Sequence, residues 1–85
     1  REIYLLEVGF GLGYNLSVTT VKLKEVNPKL KLHYFGLDYR IVPLIRDLKL
    51  PPPYGEFYEK LKGELLERGK TTFEVENVRV TILLG

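Results

Sequence analysis

The chain contains no cysteine, methionine, tryptophan, alanine or glutamine. Without cysteine, a disulfide framework, a cysteine-based zinc site and a cysteine nucleophile are all excluded. A single histidine, His33, leaves no histidine cluster for a metal. No apolar run approaches the roughly 20 residues of a membrane span. The N-terminus lacks the basic, apolar and small-residue regions of a secretory signal. A soluble cytoplasmic protein is therefore the expectation. A strong charge of one sign is lacking too. Thirteen Lys and Arg against eleven Asp and Glu give +2, too little to argue for nucleic acid by itself. With 85 residues there is room for one small domain or a piece of a larger one, and not for an enzyme with its own substrate lobe. What remains is a globular balance of 45% apolar and 28% charged residues. It is rich in Leu, Lys and Glu and poor in thermolabile side chains, a composition seen in thermophile proteins.

Ile3 to Val8 is a nearly continuous apolar run ended by Gly9, which reads as a strand buried on both faces of a parallel sheet. A helix is expected from Tyr14 to Val26, with Leu16, Thr20 and Leu23 on one stripe and Asn27-Pro28 as its stop. The β-branched run Val18 to Val21 favours helix poorly. A crossover between two parallel strands requires one all the same. Leu32 to Asp38 reads as the second strand and Ile41 to Leu48 as a short helix before three prolines. Phe57, Tyr58, Leu61 and Leu65 predict a helix over 55–68, with Glu56–Lys60 and Glu64–Arg68 pairs and Gly69 beyond its end. Thr71 to Glu76 and Val78 to Leu84 predict a hairpin. The expected class is α/β: a partial parallel sheet with crossover helices and a C-terminal β-hairpin. It has the look of the first half of a doubly wound sheet, cut at both ends.

The most informative stretch is Glu7-Val8-Gly9-Phe10-Gly11-Leu12-Gly13, which follows a strand and opens a helix. Glycines let the backbone turn tightly and let a ligand approach closely. A dinucleotide fingerprint needs a small residue at position 14 or 16, and Tyr14 and Leu16 stand there. A phosphate-binding loop needs Gly-Lys-Ser/Thr, which is absent. The remaining pattern, acid-x-Gly-x-Gly-x-Gly, is similar to the first motif of class I S-adenosylmethionine (SAM) methyltransferases. Asp38 ends the second strand 27 residues after Gly11, where a carboxylate can accept both hydroxyls of a ribose.

The resemblance extends further. Leu6 to Asn15, then Leu32 to Tyr39 with Pro43-Leu44, then Arg79 to Gly85 resemble three successive blocks of the MnmC-type methyltransferase domain, which modifies the wobble uridine of tRNA. That resemblance implies a Rossmann-like SAM-dependent methyltransferase fold. It implies methyl transfer from SAM to the aminomethyl nitrogen on C5 of the uridine. Glu7, Gly9, Phe10, Gly11, Gly13, Asn15 and Asp38 would line the cofactor pocket. The full-length protein would take tRNA as partner, and fused relatives carry an FAD-dependent oxidase domain. Leu12 stands where the family usually has Thr, and Asp38 where it usually has Glu. Methyl transfer aligns nitrogen, methyl and sulfur and needs a proton acceptor, and no residue of the sequence stands out as one.

The other features have plainer readings. His33 begins the second strand, away from the ligand edge, as a hydrogen-bonded structural histidine. Lys22, Lys24, Lys29 and Lys31 read as a solvated face rather than a phosphate-binding one. Pro51-Pro52-Pro53-Tyr54 reads as a helix break rather than a peptide ligand. Tyr39, just past Asp38, is either an exposed loop residue or a stacking partner for adenine.

Overall fold

A computed structural model describes residues 1–85. Strand β1 (Glu2–Val8) passes through the glycine turn into helix α1 (Tyr14–Val26), which leads to strand β2 (Lys31–Asp38). A 3-10 helix (Pro43–Asp47) and helix α2 (Gly55–Lys62), continued by a π-helical turn (Gly63–Glu67), precede the hairpin of β3 (Thr72–Val75) and β4 (Val78–Leu84). One sheet results, ordered β1-β2-β4-β3. The first three strands of that order are parallel, and β3 alone runs against its neighbour. The expected α/β class and the C-terminal hairpin are both present.

Both helices pack on one face. The core joins Leu16 of α1 and Phe57, Tyr58 and Leu61 of α2 to Leu32, Tyr34, Val80 and Ile82 of the strands. Packing, not propensity, makes α1 a helix. Its buried stripe is Leu16, Ser17 and Thr20. The Ser17 hydroxyl donates to the Gly13 carbonyl at 2.9 Å, so its burial is compensated. Asn27 then turns extended (φ −151°, ψ 101°) ahead of Pro28 and ends the helix.

Four expectations are corrected. β1 is not buried on both faces: Tyr4, Leu6 and Val8 are 68%, 64% and 81% exposed. The strand lies at the sheet edge, and the helices cover only the face that carries Ile3 and Leu5. The helix expected over 55–68 changes pitch at Gly63, where Arg68 donates to the Gly63 carbonyl five residues back at 3.1 Å. Glycine holds a helix weakly, so the last turn can widen there. Gly69 takes the left-handed conformation (φ +64°) beyond that turn, as its position predicts. The third correction concerns ion pairs. Glu64–Arg68 forms at 3.4 Å, but Lys60 reaches Glu76 of the hairpin turn at 3.1 Å instead of Glu56. The segment expected to be helical over 41–48 is the shorter 3-10 helix, anchored by the buried Ile45. No helix is long and apolar enough to cross a membrane.

Candidate functional site

The parallel register brings Val8 beside Leu37, and Asp38 beside Leu84, at one edge of the sheet. Ligands of open α/β sheets bind at this carboxyl edge. The glycine turn is fastened over it. Gly9 and Phe10 both donate their backbone N–H to the Leu37 carbonyl, at 2.6 and 3.2 Å. From the helix side, the Tyr58 hydroxyl donates to the Leu12 carbonyl at 2.8 Å.

The three glycines of the turn all have positive φ, at +88°, +61° and +81° for Gly9, Gly11 and Gly13. Their surroundings differ. A Cβ on Gly13 would lie 3.0 Å from the Phe10 ring and 3.1 Å from Leu61, so this glycine is needed for packing. A Cβ on Gly9 would meet nothing within 4 Å, and one on Gly11 only the Gly9 carbonyl at 4.0 Å. Those two glycines border open space, which a ligand can occupy against bare backbone.

Asp38 closes the turn. Its Oδ2 accepts the Gly11 N–H and its Oδ1 the Tyr39 N–H, each at 2.8 Å. The Gly11 bond first and the Tyr39 bond second hold this carboxyl below its ordinary pKa of 3.8. Each oxygen keeps a lone pair for a further donor. Glu7 is held at both oxygens, by Asn15 Nδ2 on Oε2 at 2.8 Å and by the Tyr34 hydroxyl on Oε1. Tyr34 is wholly buried, and burial ahead of the Glu7 contact pushes its hydroxyl pKa up. Beside Asp38 opens a cleft of about 380 Å³ with Val8, Leu37, Leu83 and Leu84 as apolar walls.

The residues singled out in the sequence therefore converge, with different parts to play. Gly9, Asp38 and Tyr39 border the cleft itself, Tyr39 at 86% exposure. Glu7, Gly11, Gly13 and Asn15 form the turn and its supports alongside. Phe10 turns its side chain away into the core, edge-on to Tyr34 at 6.3 Å between ring centres, and supports the turn from below. His33 lies toward the other end of β2, hydrogen-bonded to Glu2 and stacked on Tyr4 at 4.4 Å. The sequence reading missed Tyr34 and the apolar walls at Leu83 and Leu84. Gly36, a glycine inside a strand two residues beyond Tyr34, was the available pointer to the former.

An apolar cleft, an exposed glycine turn and two flanking carboxylates suit a ligand that joins a flat ring, vicinal hydroxyls and a positive charge. Together with the parallel sheet and one-faced crossover helices, they define a Rossmann-like α/β fold of the methyltransferase kind. No family model matches the chain, and no curated protein matches it. Among solved structures, the crystal structure of MnmC2 from Aquifex aeolicus is similar over 100% of this chain, at 36% identity and a TM-score of 0.81. The chain has the fold of an MnmC-type methyltransferase domain, and it spans 26% of the MnmC2 chain.

Proposed function

We propose that this chain is the cofactor-binding part of a SAM-dependent methyltransferase, and that the whole protein N-methylates the aminomethyl group of a tRNA wobble uridine. One observation carries the cofactor reading: Asp38 ends β2 with both oxygens fixed by backbone N–H groups, beside a turn whose Gly9 and Gly11 border open space. In this reading Asp38 accepts the two ribose hydroxyls through its free lone pairs. Val8, Leu37 and Leu83 contact the adenine, and Tyr39 stacks on it. Glu7 takes the ammonium of the methionine part, Gly9 and Gly11 let the cofactor lie on the backbone, and Gly13 lets the turn pack on Phe10 and Leu61 beneath it. The first turn of α1 carries no acidic residue, so its positive end is free to favour the methionine carboxylate.

When bound, SAM supplies an electrophilic methyl group. The role of this chain is to hold it in line with an incoming nitrogen. No residue here is assigned to proton acceptance. His33 precedes Asp38 by five positions in β2, which puts it about 16 Å from that carboxylate's residue at the rise of a strand. The tRNA substrate comes to this proposal from the MnmC relationship.

Thermal unfolding tests the cofactor reading. A ligand at 100 times its Kd stabilises a fold by about 2.7 kcal/mol, so SAM should raise Tm by about 10 °C or more and NAD should leave it unchanged. A rise with NAD alone would favour a nicotinamide enzyme. A rise with neither would leave the glycine turn as a purely structural feature. The substrate half is tested on the whole protein, by transfer of labelled methyl from SAM to tRNA carrying a free aminomethyl uridine.

A further inference from the structure

Tyr34 has the position of an ordinary core residue, fully buried on the helix side of β2. Its hydroxyl leaves the core at one point. The ring lies along β2 across Gly36, where a Cβ would stand 3.0 Å from both Cε2 and the hydroxyl oxygen of Tyr34 and 3.2 Å from Ile82. Gly36 is the register partner of Glu7 on the neighbouring strand. The missing side chain at 36 thus opens a channel through which the tyrosine reaches Glu7 Oε1. Asn15 holds Oε2 from the turn side at 2.8 Å.

A glutamate side chain has considerable rotamer freedom, among the largest of any residue. Glu7 has lost that freedom at both oxygens before any ligand arrives. Each oxygen still has a lone pair, so the clamp fixes the carboxylate without using up its capacity. A phenylalanine at 34 would fill nearly the same volume, and only the hydroxyl makes the link to Glu7.

We propose that Tyr34, seated across Gly36, is the positioning residue that fixes the Glu7 carboxylate toward the cationic amino group of the ligand. This rests on the SAM reading given above. The hydroxyl then discriminates the amino-acid part of the ligand and is indifferent to the nucleoside part. Prepaid ordering of this kind appears as affinity for the group it serves.

The test compares two ligands on the unmodified chain, Tyr34→Phe, Glu7→Gln and the double variant. SAM carries the ammonium, and 5′-methylthioadenosine has the same nucleoside without it. Tyr34→Phe should weaken SAM binding about five- to thirtyfold, the size of the side-chain ordering that the clamp otherwise prepays. It should leave 5′-methylthioadenosine within about twofold. In the Glu7→Gln background Tyr34→Phe should have no further effect on SAM, because the two act as a unit. Equal losses for both ligands, or an unchanged SAM affinity, would overturn the positioning role and leave the cofactor reading standing. Failure of the unmodified chain to bind SAM would overturn both. If Tyr34→Phe does not fold, Gly36→Ala, which keeps the hydroxyl but displaces the ring, should show the same SAM-specific loss. Parallel losses for both ligands in that variant would contradict the role.

Discussion

Asp38 and Tyr58 show how single residues bind the turn to the rest of the chain. Asp38 has a folded pKa below its ordinary 3.8, chiefly through the Gly11 N–H. Its contribution to stability is therefore full above that value and is lost as the pH falls through the lowered folded value. Asp38→Asn puts an amide N–H against one of the two backbone donors. It should lower Tm at pH 7 and flatten the acid limb of the stability curve, as read by thermal melts between pH 2 and 7. An unchanged acid limb would remove Asp38 from the account of the turn. Tyr58 works in the opposite sense. Burial pushes its hydroxyl up to about 12 from an ordinary 10.0. Stability from this group is full below pH 10.0 and declines as the pH rises toward 12. Tyr58→Phe loses the hydrogen bond to the Leu12 carbonyl, so it should cost about 0.5–1.5 kcal/mol at pH 7. The same variant should unfold less steeply in alkali.

At the scale of elements, the glycine turn separates folding from binding. Gly13→Ala adds a left-handed alanine and drives its Cβ to 3.0 Å from Phe10. Strain and overpacking together should cost about 2–5 kcal/mol, a fall in Tm of about 8 °C or more for a domain of this size. Gly9→Ala meets no neighbour, so only the backbone term of about 1–2 kcal/mol applies. That variant should fold yet bind SAM much more weakly, because the methyl stands where the ligand approaches. Comparable stabilities in the two variants would contradict this division. The hairpin is tied to both helices by one residue. Glu76 sits in the turn at φ 56° and pairs with Lys24 of α1 and Lys60 of α2. Burial pushes its carboxyl up, and the two ammonium groups outweigh that and hold it below 4.5. Its stabilisation is present above 4.5 and drains away as the pH falls through the lowered folded value. Two partly exposed pairs contribute little, so Glu76→Gln should lose about 0.5–1 kcal/mol at low salt, shrinking in high salt. Glu76→Gly should be the more stable of the two variants, since glycine relieves the left-handed strain that glutamine keeps. Salt-dependent melts of the pair check both statements.

For the whole molecule, local rules in the sequence carried the element order and one half of the site. The strand–glycine–helix passage, Asp38 at the end of β2 and the hairpin were legible, because each depends on residues close together in the chain. What depends on contacts distant in sequence was hidden. Nothing in Ile3 to Val8 says that β1 ends up at an edge with Tyr4, Leu6 and Val8 exposed, since a continuous apolar run looks the same at an edge or in the middle. The change of pitch at Gly63 was hidden because Phe57, Leu61 and Leu65 keep helical spacing through it. Lys60 chose Glu76 over Glu56 because the folded hairpin brings that carboxylate to it. The Tyr34–Glu7 link crosses between strands over 27 positions of sequence, and Tyr34 looked like any aromatic of a buried strand. The site is thus legible where it is a local motif and obscure where the sheet assembles it.

The SAM site proposed at the carboxyl edge of this sheet is organised by Asp38. Titration calorimetry of SAM into the unmodified chain and into Asp38→Ala tests it most directly. One-to-one binding is expected for the first and binding weakened by about tenfold or more for the second, the loss expected for unmade charge-assisted hydrogen bonds. No binding to the unmodified chain, or equal affinity for both, would contradict it.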